Sequence, residues 1–133
     1  MPTLQLKLFP PVRDDIQAAL AQELTALSAE ELGKREELTA LMIELLPAPR
    51  WFIGGRPAPG PTAWLEISIT AGTNTPEQKA AFIEGAYAAL RHPLAPVGTL
   101  QAASCVIVRE LPASDWGYGG RTQAARRLDH AVL

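Results

Sequence analysis

An internal repeat is the strongest constraint that this sequence places on its fold. The segment LPAPRWFIGGR at residues 46–56 matches LPASDWGYGGR at residues 111–121, with the tryptophan and the Gly-Gly-Arg at equal distances from Leu-Pro-Ala. The openings of the two halves, residues 2–8 and 61–67, also align, and each begins with Pro-Thr. A repeated segment of this kind usually forms one supersecondary unit that packs against its copy. The chain is therefore expected to contain two copies of one unit.

Each copy has the pattern of a strand, a helix and a second strand. Apolar and polar side chains alternate at the start of each copy, which is typical of a strand with one buried face. Segments rich in apolar and β-branched residues follow near the end of each copy. The predicted strands are residues 4–8 and 38–46 in the first copy, and residues 65–69 and 103–111 in the second.

Helical spacing of apolar residues predicts a helix in the middle of each copy. The first covers about residues 12–27, and residues 28–31 could begin another short turn that Gly33 stops. The second begins at Thr75, which is a good N-cap, and Gln78 completes a capping box. Pro93 is expected to end this helix before Leu94.

Two such units predict an α/β (α+β) fold: one four-stranded mixed sheet with both helices on one face, because each parallel strand pair needs a right-handed crossover. The first unit is residues 1–56, the second is residues 61–121, and residues 122–133 form a tail without a counterpart in the first copy. Two helices cannot cover both faces of this sheet. The chain is therefore predicted to form a homo-oligomer through that face or through the sheet edges.

Composition limits the function classes. A chain of 133 residues with 47% hydrophobic and 20% charged residues is expected to be globular, with one ordinary domain or two very small ones. Its net charge of −2 gives no basic footprint for nucleic acid. One cysteine, Cys105, and two histidines, His92 and His130, cannot fill a Cys/His zinc site. No metal site is expected, and no cofactor is expected either. Without a membrane-length apolar stretch or a signal-peptide pattern, a cytoplasmic protein with no membrane partner is the expectation.

Pro2 is the residue with the clearest chemical potential. Initiator methionine is usually removed before a small residue such as proline, and removal of Met1 would leave a secondary amine on a rigid ring. Burial or neighbouring cations would lower the pKa of that amine toward neutrality, which suits a general base. Pro61 cannot act in this way, because its nitrogen is part of a peptide bond.

These residues resemble those of the tautomerase superfamily, specifically the 4-oxalocrotonate tautomerase type. The resemblance rests on the N-terminal proline, the β-α-β repeats, the helix that opens with TPEQK at residues 75–79, and the WGYGG at residues 116–120. It implies a tautomerase/MIF-like fold made of two fused units, and an assembly of three chains.

The resemblance also implies roles for particular residues. Pro2 would be the catalytic base, and Arg13, in the loop after the first strand, would bind a carboxylate of a small substrate. Trp51 and Trp116 fall on an aromatic residue that lines the pocket and comes from a neighbouring unit. Of the two, Trp116 is favoured.

One family arginine is missing. Its position, at the start of each closing strand, holds Ala40 in the first copy and Cys105 in the second. Arg109 is four residues from Cys105 and is therefore expected on the same face of the strand. It could replace the missing arginine in substrate binding. With one arginine in register, a monocarboxylate substrate is favoured.

Two kinds of turn are also predicted. The run at residues 34–37 is expected to be a solvated turn. The Gly-Gly pairs are expected to form tight hairpin turns that reach a neighbouring subunit.

Three functions remain open. The first is an isomerase that moves a proton in a small enol or α-keto acid with Pro2 as general base. The second is a proline-dependent hydratase, dehalogenase or decarboxylase, in which the amine acts as a cation. The third is a catalytically silent oligomeric binding module that retains Met1.

Overall fold

Both repeats fold into β-α-β units in the computed structural model, which describes the backbone of residues 1–132 and the side chains of residues 1–128. The side chain of His130 and the whole of Leu133 lie outside the described residues. The elements in chain order are β1 (Thr3–Phe9), α1 (Asp14–Leu32), a 3₁₀ turn (Glu36–Leu38), β2 (Ala40–Leu45), β3 (Phe52–Ile53), β4 (Arg56–Pro57), β5 (Thr62–Thr70), α2 (Pro76–Leu94), β6 (Cys105–Leu111), β7 (Gly117–Tyr118), β8 (Arg121–Thr122) and α3 (Gln123–Val132).

The four long strands form one mixed sheet in the order β2-β1-β5-β6, as the repeat predicts. The pairs β1–β2 and β5–β6 are parallel, and β1 is antiparallel to β5. Leu6 lies opposite Ile43 on one side and Leu65 on the other. Because the two units are antiparallel, the amino end of β1 lies beside the carboxyl ends of β5 and β6. Two non-equivalent ends of the sheet are thereby created.

The core lies between one face of the sheet and the two long helices, which confirms the predicted layers. The alternating strand residues and one face of each helix are almost fully inaccessible to solvent. This set includes Leu4, Leu6, Leu8, Leu20, Leu24, Leu65, Ile67, Ile69, Phe82 and Leu90. The opposite sheet face has no helix on it, and Met42 is 53% exposed there. This face is the part of the sheet that the long helices leave uncovered.

Helix α1 is longer than the apolar spacing predicts. It continues through Ser28, whose hydroxyl donates a hydrogen bond to the carbonyl oxygen of Thr25 rather than capping a new turn. The helix ends at Leu32, since Gly33 adopts a left-handed conformation (φ 67°) and its N–H binds the carbonyl oxygen of Ala29. The prediction of an end at residue 27 is therefore wrong, because a buried serine satisfied within the helix does not interrupt it.

The capping box of α2 is confirmed. The Gln78 N–H donates to Thr75 Oγ1 at 3.1 Å, and the Thr75 N–H donates to Gln78 Oε1 at 2.9 Å. The predicted stop before Leu94 is wrong, because the helix includes both Pro93 and Leu94. Leu94 is fully buried, so core packing outweighs the N–H that Pro93 lacks in the last turn.

Each Gly-Gly pair forms the turn of a two-stranded hairpin, as predicted. Gly54 and Gly55 connect β3 to β4, and Gly119 and Gly120 connect β7 to β8. All four residues have φ between 59° and 79°, the range that such two-residue turns require. The contact of these hairpins with a neighbouring subunit stays a prediction.

Candidate functional site

The amino end of β1 places the start of the chain among the ends of several elements. Pro2 is buried, and its carbonyl oxygen accepts a hydrogen bond from the Ala40 N–H at 3.2 Å. Thr3 lies opposite Ser68, so Met1 and Pro2 come beside the last residues of β5. The main chain at Pro2 is thus fixed on both sides by the sheet.

The amine at this position belongs to Met1 in the described chain. Partial burial lowers the pKa of the Met1 amino group below its ordinary value, and the charges of Lys34 and Arg35 lower it further. Arg35 is itself exposed and forms an ion pair with Glu37 at 2.7 Å. Of these two cations, Lys34 is the one without an ion pair among the described side chains.

Lys34 occupies the turn that was predicted to be solvated, and for this residue the prediction is wrong. Its side chain is half-buried, and Nζ donates to Thr73 Oγ1 at 3.0 Å. Burial lowers the pKa of Lys34, and the charge of Arg127 lowers it further, while Glu110 raises it. Topology could have revealed this placement, because the turn after a β-α-β helix lies at the amino end of both strands of its unit.

Glu110, at the end of β6, is occupied by other partners. Lys79 donates to its Oε1, and the Gly72 N–H donates to its Oε2 at 3.1 Å. Both hydrogen bonds lower the pKa of Glu110 and keep it ionised, and the one from Lys79 has the larger effect. No carboxylate pairs with Lys34 among the side chains that the structure describes. Its ammonium group can therefore bind an external anion.

Trp116 lies at the same end of the sheet as Pro2 within one chain. Its indole Nε1 donates to Thr70 Oγ1 at 3.2 Å, and Thr70 is the last residue of β5. A cleft of about 270 Å³ lies against the indole and the β7–β8 hairpin. The indole ring of Trp116 can thus form an apolar wall on the side of the sheet end where Lys34 lies.

Arg13 and Trp51 lie at the other end of the sheet. Arg13 follows the carboxyl end of β1, a strand length of about 20 Å from Pro2, and its guanidinium pairs with Asp15 at 3.2 Å. Trp51 lines a cleft of about 210 Å³ there, together with Lys7, Leu46, Arg50, Phe52 and Trp64. Pro61 lies at this end of the sheet, and its nitrogen is part of a peptide bond, so it cannot be an amine as that of Pro2 could. One chain therefore does not combine Pro2 with Arg13 or Trp51.

Arg109 lies near the Pro2 end but on the other face of the sheet. It pairs with Ser68, whose partner on β1 is Thr3. These residues alternate with buried Ile67 and Ile69, so their side chains lie on the uncovered face. Arg109 is exposed there, and Lys34 lies beyond the opposite face, among the ends of the helices.

The described residues contain no group of three or more histidine, cysteine, aspartate or glutamate side chains that could hold a metal ion. Burial raises the pKa of the Cys105 thiol, which disfavours its reactive thiolate. In the described part of the chain, no helix has the length and apolar character needed to cross a bilayer.

Comparison with known proteins identifies similar structures. No protein-family model and no curated protein matches the chain. A native fused 4-OT, of the 4-oxalocrotonate tautomerase type, is 28% identical, with a TM-score of 0.77 over 92% of this chain and 97% of its own. A fused 4-OT solved as an asymmetric trimer is 26% identical, with a TM-score of 0.78 over 93% and 98%.

A third solved structure is more distant in sequence. It is a protein inactivated by 2-oxo-3-pentynoate, 15% identical, with a TM-score of 0.80 over 93% of this chain and 98% of its own. At this identity the likeness concerns the fold alone. The resemblance to fused 4-OT proteins of the tautomerase superfamily is confirmed over nearly the whole chain.

Proposed function

We propose that this protein is a tautomerase that moves a proton in a small enol or α-keto acid, with the amine of Pro2 as general base after removal of Met1. The observation that carries the proposal is the buried position of Pro2 at the head of β1, beside a Met1 amino group whose pKa is lowered by burial and by the charge of Lys34. A lowered pKa increases the fraction of amine that is neutral at a given pH, and only the neutral form can act as a base.

The proposed reaction needs one group that accepts and returns a proton. The Pro2 nitrogen takes the proton from the enol oxygen, and the resulting ammonium gives a proton to the neighbouring carbon, which yields the keto acid. Lys34 binds the substrate carboxylate with a charge-assisted hydrogen bond, and Trp116 packs against the apolar part. In this assignment Lys34, rather than Arg13, is the carboxylate ligand that the same chain supplies.

The alternatives in which the amine acts as a cation are less compatible with this environment. Hydration, dehalogenation or decarboxylation of that kind needs a protonated amine at the working pH. Burial, Lys34 and Arg35 all act in the opposite direction. The tautomerase reaction therefore remains the preferred proposal.

Intact mass and chemical labelling test whether the amine exists. We expect the mass of the native protein to lack Met1, and 2-oxo-3-pentynoate to add once per chain at Pro2, because a neutral amine adds to a conjugated alkyne. Peptide mapping locates the adduct. As a control, a chain with one leucine inserted between Met1 and Pro2 retains the methionine and should not be labelled there. A native protein that keeps Met1 contradicts the mechanism and leaves the binding-module function.

Replacement of Lys34 by methionine tests the proposed role of its charge. The cation disfavours the ammonium form of the amine, so its removal should raise the amine pKa and move the acidic limb of the kcat/KM profile to higher pH. The loss of a charge-assisted hydrogen bond should also raise KM by about tenfold or more.

The matched control is Lys34→Arg, which keeps the charge and should leave the acidic limb in place. Phenylenolpyruvate is a suitable substrate for both profiles. An acidic limb that stays at the same pH in Lys34→Met would contradict the proposed electrostatic role.

We further propose a homotrimer. The sheet face without helices has to be covered, and a fused 4-OT with a similar fold forms a trimer. Apolar Met42 and Ile107 lie on this face among polar side chains.

A further inference from the structure

The tail of the chain folds back as helix α3 against the second hairpin, β7–β8. The Gln123 N–H donates to the Trp116 carbonyl oxygen at 2.9 Å. This bond has a counterpart in the first repeat, where the Ala58 N–H donates to the Trp51 carbonyl oxygen at 2.8 Å. A main-chain bond to the tryptophan carbonyl is therefore common to both hairpins.

A contact between Arg126 of α3 and Tyr118 is specific to the second hairpin. The Arg126 guanidinium lies over the Tyr118 ring, with Cζ 3.8 Å from the ring centre, and its Nη2 donates to the Tyr118 carbonyl oxygen at 2.9 Å. Its Nε donates to the same oxygen at 3.3 Å. A Cβ atom at Gly119 would lie 2.7 Å from Nη2, so the guanidinium occupies the space that a side chain would take. Arg126 thus contacts both a strand and the turn of this hairpin.

The first repeat cannot form this contact. With the two repeats aligned, Ile53 takes the position of Tyr118 and Pro61 takes that of Arg126, and neither residue has an aromatic ring or a charge. The first hairpin, β3–β4, forms nevertheless. The arginine contact is therefore not needed to fold a hairpin of this type. Its presence on the hairpin that carries Trp116 indicates a role in positioning.

The position of the β7–β8 hairpin shapes the cleft of about 270 Å³ at this end of the sheet. Both strands of the hairpin line the cleft, through Gly117 and Thr122, and so does Trp116. Trp116 directly precedes β7, and its indole Nε1 donates to Thr70 Oγ1 at 3.2 Å. A hairpin that shifts would carry the indole away from Thr70 and change the shape of the cleft.

We propose that Arg126 is a positioning residue: by holding Tyr118 and the turn at Gly119, it fixes the β7–β8 hairpin and keeps Trp116 in place against the substrate. The contact of Trp116 with substrate rests on the proposed function. The planar guanidinium suits this role, because it can stack on a ring and donate two hydrogen bonds to one oxygen at the same time. An aromatic wall contacts substrate and transition state alike, so its displacement raises KM and leaves kcat nearly unchanged.

Quenching of Trp116 fluorescence by acrylamide tests this positioning without turnover. The measurement uses full chains in which Trp51 and Trp64 are replaced by phenylalanine, so that Trp116 is the single tryptophan. Arg126→Ala should raise the quenching constant by about twofold or more, because a hairpin released from α3 exposes the indole more often. Arg126→Lys, which keeps a cation for the ring, should restore most of the native value.

Steady-state kinetics with phenylenolpyruvate separates positioning from stability. Arg126→Ala should raise KM by about tenfold, while kcat changes by less than about twofold. A merely destabilised protein would instead lose kcat in proportion to its unfolded fraction, with KM unchanged. Tyr118→Ile gives the second hairpin the side chain that the first has at Ile53. It leaves the sequence of α3 intact and should reproduce the increase in KM.

The control is Arg91→Ala, which removes an exposed cation from the last turn of α2 and should change neither the quenching constant nor KM. Native quenching constants in both Arg126→Ala and Tyr118→Ile would overturn the proposal. An unchanged KM in an active Arg126→Ala protein would overturn it as well, whatever the value of kcat. If the native protein does not turn over phenylenolpyruvate, the proposed function fails, and the quenching constants alone still decide whether Arg126 fixes Trp116.

Discussion

Loss of the free Pro2 amine is expected to lower kcat/KM for phenylenolpyruvate by about 10²- to 10⁴-fold, the contribution typical of a positioned general base. Insertion of a leucine between Met1 and Pro2 achieves this, because the nitrogen becomes an amide while the ring of Pro2 is retained. Steady-state kinetics before and after the insertion measures the effect.

Pro2→Ala is the matched variant for this experiment. Its start methionine is still removed, so a primary amine remains, but without the ring that fixes the nitrogen at the head of β1. An intermediate activity is therefore expected, between that of the native protein and that of the capped chain. Undiminished activity in the capped chain, confirmed by mass to carry Met1, would place the chemistry elsewhere.

Met42→Glu is expected to convert the trimer into monomers. Met42 is 53% exposed on the sheet face without helices, and a glutamate there would add a buried, unpaired charge beside Glu44 in every copy of the assembly. Each such charge costs several kcal/mol to desolvate. Light scattering should give three times the chain mass for the native protein and one chain mass for the variant.

Val97→Glu is the control for this prediction. Val97 is 54% exposed, nearly the same as Met42, but it lies in the connection between α2 and β6. The same substitution there should leave the trimer intact. Persistence of the trimer in Met42→Glu at equal protein concentration would show that this face is not the interface.

The proposed chemistry follows from an asymmetry between the two repeats. The fold creates two similar sheet ends, each with a proline, a tryptophan and a Gly-Gly hairpin. Only the end at Pro2 can have an amine, since Pro61 follows Gly60 within the chain. Lys34 and Trp116 lie at that same end, beside the position of the proposed base.

Local patterns were enough to predict most of the fold. Strand alternation fixes which side chains of β1 and β5 face the core, because successive side chains point to opposite faces. The capping box at Thr75 and Gln78 fixes the start of α2, since both partners lie within one turn. The helix ends at Leu32 and Leu94 were missed, because burial of the last turns depends on residues far away in the chain.

Some residues of the candidate site can be identified from the sequence, and others only from the folded structure. Pro2 and Trp116 could be identified in the linear chain, because a terminal imino acid and a duplicated aromatic motif are visible without coordinates. Lys34 could not, since it is more than thirty positions from both Met1 and Thr73, and it approaches the N-terminal amine and Thr73 only in the folded chain. Hydrogen bonding and periodicity act between near neighbours, whereas charge and burial act through space, and only the folded chain establishes which groups they join.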